Sequence, residues 1–145
     1  MVQAWLSILA SSFGSGQGLA ALFDGENVSQ IPVVAIDLEL TSLDPKHAKV
    51  TSIGWVGGQG GSIELSSSYY KVIRASGDLS QSPVIHGLTA EDLALGSHIK
   101  EALSDLVKLA EQHVWVFHNT ALDMAVLQRV CCVNGMSLPT IVTLD

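Results

Sequence analysis

A chain of 145 residues with 48% apolar and 14% charged residues can bury a sizeable core and is too apolar for extended disorder. Seven basic against fourteen acidic residues give a net charge of −7, which excludes a broad, non-specific nucleic-acid surface of Lys/Arg stripes. It leaves open a nucleic-acid substrate at a metal site, where bound cations reverse the local charge.

In chain order, residues 1–30 form a preamble, helical or flexible. Ala4–Leu9 can make a short helix, Gly14–Gly18 reads as linker and Leu19–Phe23 as a second apolar patch. The glycines there lack the preceding strand and the spacing a phosphate-binding loop needs. Met1–Ala10 has no basic n-region, and no stretch approaches the roughly 20 apolar residues of a membrane span. The reading is a soluble cytoplasmic protein with no membrane partner.

A single α/β domain is expected over residues 31–145. Val33–Glu39 is a strand, and so is Val50–Val56; Gly57–Gly61 marks a turn, after which Ile63–Ile73 returns antiparallel. Pro83–Thr89 is loop-like, and Thr89-Ala-Glu-Asp92 resembles a helix-capping box. The spacing of Ile99, Leu103, Leu106, Val107 and Ala110 predicts an amphipathic helix over Ser97–Gln112. A short buried strand, Val114–Phe117, precedes a helix that Asn119 can cap and Asn134-Gly135 can end. Ile141–Leu144 is a final strand, so the order is three strands, helix, strand, helix, strand. Cys131 and Cys132 are adjacent and suit neither a disulfide nor a Cys-x-x-Cys site. Two buried thiols in a reducing compartment are expected.

Two acids stand out within the apolar run Ile31–Thr41. Asp37 and Glu39 are two apart on a strand, so their carboxylates share a face, with Cα atoms roughly 7 Å apart. Like charges held so close call for a cation, and hard oxygen ligands suit Mg²⁺; a polar strand end is the alternative. Asp123, four residues after Asn119, falls on a first helical turn. It either interacts with the helix dipole there or joins the two strand acids.

These residues in this order resemble the DEDD superfamily of 3′–5′ exonucleases (DEDDh type), whose members include the proofreading epsilon subunit of bacterial DNA polymerase III. The matching stretches are Ile36-Asp-Leu-Glu-Leu-Thr-Ser-Leu-Asp-Pro45 and Val116-Phe-His-Asn-Thr-Ala-Leu-Asp-Met-Ala-Val-Leu127. Ser52–Val56 and Val84–Leu93 match the intervening strand and loop, so the resemblance runs from Val33 to Asp145. It implies an RNase H-like fold, a mixed five-stranded sheet flanked by helices, over an exonuclease domain at 31–145. It also implies two Mg²⁺ or Mn²⁺ ions held by Asp37, Glu39 and Asp123, hydrolysis of a terminal phosphodiester to a nucleoside 5′-monophosphate, and the 3′ end of DNA or RNA as substrate. A polymerase or other protein partner follows by the same analogy. Thr41 and Leu43 match positions lining the terminal-nucleotide pocket, and His86 matches a loop histidine near that nucleotide. His118 and Asn119 fit the second motif, either as substrate contacts or as ties between strand end and helix start.

The sequence departs from the family pattern at Leu40 and Ser42, where Thr and Gly are usual. The family's third motif, His-x-x-x-x-Asp on a helix after the last strand, is not supplied by His98 or His113, which have Leu103 and His118 five residues on. Asp145 resembles the acid opening an Asp-Thr-Leu segment with no metal role. The expectation is therefore an exonuclease domain truncated at its C-terminus, its last helices missing, with little or no activity as it stands. A catalytically silent nucleotide-binding or protein-docking domain of the same fold is the alternative.

Overall fold

A computed structural model of the chain describes residues 30–76 and 87–145. The expected elements of the preamble, and His86 with most of its loop, lie outside the described residues. Five strands are present among those described: β1 (Val33–Leu40), β2 (Val50–Gln59), β3 (Ser62–Val72), β4 (Val114–Val116) and β5 (Thr143–Leu144). Three helices accompany them: α1 (Ala90–Leu95), α2 (Ile99–Leu109) and α3 (Thr120–Val133).

The strands form one mixed sheet in the order β3-β2-β1-β4-β5. β1–β2 and β2–β3 are antiparallel, whereas β4 runs parallel to β1 and β5 parallel to β4. The β2–β3 hairpin turns at Gly60 (φ 63°) and Gly61 (φ 76°), a pair of left-handed positions that glycine takes without steric cost. β2 is longer than the glycine-rich sequence suggests, because Gly57 and Gly58 remain in the ladder with Glu64 and Ile63 as partners.

Strand alternation builds the core. Val34, Ile36 and Leu38 of β1 are buried, while Ala35 and Asp37 between them are exposed. The buried set packs with Leu103 and Leu106 of α2, Val126, Leu127 and Val130 of α3, and Trp115 and Phe117 at β4. Each large side chain so buried contributes about 1.5–3 kcal/mol from its transfer out of water.

One more helix forms than the sequence reading anticipated. The capping box at Thr89 is complete: Asp92 N–H donates to Thr89 Oγ1 at 3.1 Å and Thr89 N–H donates to Asp92 Oδ2 at 2.8 Å. It starts the separate helix α1, which stops at Gly96. There the backbone closes on the end of β3, with Ser97 N–H donating to Val72 O at 3.0 Å and Arg74 N–H donating to Ser97 O at 2.9 Å. A Cβ at Gly96 would stand 2.6 Å from Arg74 N and 2.7 Å from Ile73 C. α2 then starts afresh, with His98 Nδ1 accepting from Lys100 N–H.

α3 ends in a complete Schellman motif at Gly135 (φ 69°). Met136 N–H donates to Cys131 O at 2.9 Å and Gly135 N–H to Cys132 O at 3.0 Å. The cysteine expectation is corrected here. Cys131 lies in the core and Cys132 is exposed, because neighbouring helical positions are about 100° apart and cannot both face inward. The last strand is shorter than expected, since Ile141 is packed in the core outside the ladder. Among the described residues no helix is long and apolar enough to cross a membrane.

Gly96→Ala should destabilise the domain by about 1–3 kcal/mol, the usual cost of overpacking. Urea unfolding followed by circular dichroism measures this, and an unchanged midpoint would show that the α1–β3 approach yields freely.

Candidate active site

The strand acids sit at the C-terminal end of β1. Asp37 pairs with Gly54 and Glu39 with Ser52 across the β1–β2 ladder, and both acids occupy the face opposite Ile36 and Leu38. Asp37 is exposed and Glu39 half-buried. The register shifts immediately afterwards, between Glu39 and Leu40, and Thr51 Oγ1 donates to Glu39 O at 3.0 Å. The Ser52 hydroxyl, on the same face as Glu39, is buried without a hydrogen-bond partner. An unpaired buried hydroxyl costs free energy unless a polar group meets it.

The third acid arrives by topology. β1 and β4 are parallel, so their C-terminal ends share one edge, and the turn from β4 into α3 passes that edge. Asn119 caps α3, its Oδ1 accepting from Leu122 N–H at 3.3 Å. Asp123 follows on the first turn and is buried, with 8% of its surface exposed. Burial pushes its carboxyl up from 3.8 to about 6; the backbone N–H of Asn119 opposes the shift, the charges of Asp37 and Asp145 add to it, and His118 opposes it. The charge of the strand acid Asp37 thus acts on the helix acid Asp123.

Asp145 belongs to the same neighbourhood. Its Oδ1 accepts from Thr120 N–H at 2.8 Å, and Thr120 Oγ1 donates to Leu144 O at 3.0 Å. The end of β5 thus completes the cap of α3. The sequence reading gave this acid no part, because its partner is a backbone N–H 25 residues away, which leaves no trace in residue types.

The remaining expected residues divide. Thr41 and Leu43 lie in the loop joining β1 to β2, closed at its neck by Thr41 N–H donating to Lys49 O at 3.0 Å and Lys49 N–H donating to Thr41 Oγ1 at 2.9 Å. Leu43 is 83% exposed, an apolar side chain presented to solvent. His118 and Asn119 are exposed at the strand-to-helix turn. His86 is not among the described residues. Arg129 of α3, which the sequence reading passed over, reaches back to the loop with its guanidinium on the carbonyls of Pro45 and Ala48.

In kind, the donors fit a hard divalent cation. Carboxylate oxygens are its preferred ligands, and a cation would relieve both the desolvation and the repulsion at Asp123. In geometry, no three His, Cys, Asp or Glu side chains among the described residues are gathered closely enough to hold one.

The raised Asp123 pKa has a definite consequence. Between pH 3.8 and about 6 the folded state holds a proton that the unfolded state has lost, so stability falls as pH rises through that window. A shift of that size corresponds to at most about 3 kcal/mol. Asp123→Asn should therefore raise the Tm at pH 7 and flatten its decline between pH 4 and 6. Thermal melts across that range in metal-free buffer test this, and a destabilised variant at pH 7 would contradict it.

Comparison with known proteins bears on the family and the fold. The RNase T exonuclease family matches residues 34–143. A PolC-type DNA polymerase III from Thermotoga maritima is 32% identical over 108 residues, covering 74% of this chain and 8% of that protein. The PolC-type enzyme of Thermotoga petrophila is 33% identical over 96 residues, covering 66% of this chain and 7% of that protein. The chain thus spans less than a tenth of the length of these relatives. Among solved structures, product-bound exonuclease I superposes with a TM-score of 0.70 at 12% identity, over 80% of this chain and 30% of that one. Escherichia coli exonuclease I in complex with a dA16 oligonucleotide gives 0.70 at 12% identity, over 80% and 28%. At such identity these superpositions establish the fold, RNase H-like with a five-stranded mixed sheet. With the family matched from Val34 to Thr143, the chain belongs to the DEDD 3′–5′ exonucleases.

Proposed function

We propose that this domain hydrolyses the terminal phosphodiester at the 3′ end of DNA or RNA, with Asp37, Glu39 and Asp123 as its catalytic acids. The observation that carries this reading is the Asp123 carboxyl, buried and within the charge field of Asp37 at the edge shared by β1 and β4. These carboxylates are not gathered into a three-ligand group as they stand, but they are the residues that would hold Mg²⁺ or Mn²⁺. Bound there, a pair of such ions supplies a nucleophile from water and neutralises charge on the phosphate.

The chain's own residues hold and orient. Leu43 offers an apolar surface for a terminal base, while Thr41, its oxygen accepting from Lys49 N–H, keeps its hydroxyl proton for the sugar. Asn119 uses its carbonyl oxygen as the α3 cap and retains its amide N–H groups for substrate. His118 is exposed beside Asp123, and His86 is assigned to the nucleotide by family resemblance. Of the other described histidines, His47 bonds to Asp44, His98 accepts from Lys100 N–H, and His113 bonds to Leu109 O. None of those three is at the acids to act as base, so the 145-residue chain should cleave slowly. General-base catalysis alone is worth about 10²–10⁴-fold. The PolC-type relatives are DNA polymerases, and proofreading or end-trimming beside a polymerase is the setting we propose.

A second reading, a silent domain that binds nucleotides or proteins through the same fold, is favoured by the absence of a gathered three-ligand group among the described residues. Two measurements separate the readings. Mn²⁺ titration by calorimetry should give a signal that Asp37→Ala weakens by at least tenfold, the effect of losing one charged ligand at roughly 1.4 kcal/mol or more. A 3′-labelled single-stranded oligonucleotide with Mg²⁺ should release mononucleotides slowly and in an Asp37-dependent manner. No heat with the wild-type chain, or an unchanged Asp37→Ala titration, would remove the metal site. Metal binding without any release would leave the silent domain.

A further inference from the structure

The Arg129 guanidinium is the long-range side-chain contact of α3 that neither the fold nor the proposed chemistry yet uses. It projects from a half-buried position two turns beyond Asp123. Its Nε donates to Pro45 O at 2.8 Å, and an Nη donates to Ala48 O. The two carbonyls are 84 and 81 residues away in sequence, both in the loop between β1 and β2. Arg129 forms no ion pair among the described residues. A guanidinium in an anionic protein that pairs with carbonyls instead of carboxylates is placed for geometry, since its planar fork can satisfy two acceptors at once and an ammonium cannot do so in the same way.

The loop it holds is already closed upon itself. Ala48 N–H donates to Asp44 O at 2.8 Å, His47 N–H to Asp44 O at 3.1 Å and Lys46 N–H to Asp44 Oδ1 at 3.0 Å. These bonds fix the inner half of the loop around Asp44, and Thr41 and Lys49 close its neck. Leu43 at its tip, however, is exposed. The remaining anchors are the buried Ala48 methyl and the Arg129 fork.

We propose that Arg129 is a positioning residue that joins the Thr41–Leu43 loop to the helix carrying Asp123, so that the nucleotide-holding and acid-bearing parts of the site form one rigid unit. The proposal rests on the nuclease reading above, and adds to it a residue outside the acid and pocket motifs. Arg129 touches neither nucleotide nor metal. Its effect passes through the backbone at Pro45 and Ala48, five residues or fewer from Leu43 and Asp44.

Arg129→Met and Arg129→Lys test the idea, the first removing charge and fork, the second keeping the charge alone. In both, amide exchange at Thr41 and Ala48 should quicken by roughly tenfold or more, the effect of losing a charge-assisted hydrogen bond, while β2 and β3 amides keep their protection. Affinity for a nucleoside 5′-monophosphate in the presence of Mn²⁺ should fall by a similar factor, with Mn²⁺ affinity alone retained. Arg129→Lys should lie between wild type and Arg129→Met. Wild-type nucleotide affinity in both variants would overturn the positioning role and leave the nuclease reading intact. Parallel loss of Mn²⁺ and nucleotide binding, or of β2 and β3 protection, would make Arg129 a general stabiliser and overturn it equally. A wild-type chain that binds no Mn²⁺ would overturn the nuclease reading and this inference with it.

Discussion

Charge cannot be placed in the middle of a sheet without a partner, yet two carboxylates stand on the central strand of this one. The strand period of two resolves the conflict. Val34, Ile36 and Leu38 bury one face of β1 under the helices, and Asp37 and Glu39 keep to the other. Everything else about the site follows from where β1 lies. Its antiparallel neighbour β2 brings Ser52 beside Glu39, and its parallel neighbour β4 brings the next strand end to the same edge. β4 is in turn parallel to β5, which requires a crossover, and that crossover is α3, whose first turn carries Asp123. Strand direction brings Asp123 within the charge field of Asp37, without the two being close in sequence.

α3 must then hold a buried carboxyl that burial itself disfavours. It does so because its other anchors are strong. Val126, Leu127, Val130 and Cys131 fix its inner face in the core. Thr120 ties its start to β5 through Leu144 and Asp145, and the Schellman turn at Gly135 satisfies its last carbonyls. Arg129 ties its middle to the β1–β2 loop. A helix so held can carry one unfavourable group, a departure from the locally optimal sequence that its other contacts offset.

What could be read from the sequence is what has a local pattern. The alternation of β1, the Gly60-Gly61 turn, the Thr89 capping box, the Asn119 cap and the Gly135 stop are written in adjacent residues, and the structure forms each of them. Family resemblance then ordered these pieces into an RNase H-like sheet, and the 0.70 TM-score to exonuclease I at 12% identity confirms that fold. The break at Gly96 was not legible, because its cause is the backbone of Ile73 and Arg74 more than twenty residues earlier. The partners of Asp145 and Arg129 escaped for the same reason: each is a main-chain group, which any residue supplies and no motif records.

The net charge of −7 bears on how such a site could meet a polyanion. With the charges of Asp37 and Asp145 acting on Asp123 at one edge, the bare site repels phosphate, and three of the described cations are engaged elsewhere. Lys71 and Lys108 are paired with Glu101 and Asp105, and Arg129 is engaged with carbonyls. In the nuclease reading proposed above, attraction at the site would come from cations bound by the acids, since a divalent ion is the largest local charge wherever it sits. Because the Asp123 carboxyl is raised to about 6, metal binding there must displace a proton more often as pH falls towards that value. If the acids bind metal as proposed, the burial that raises Asp123 would couple metal, proton and substrate at this one edge.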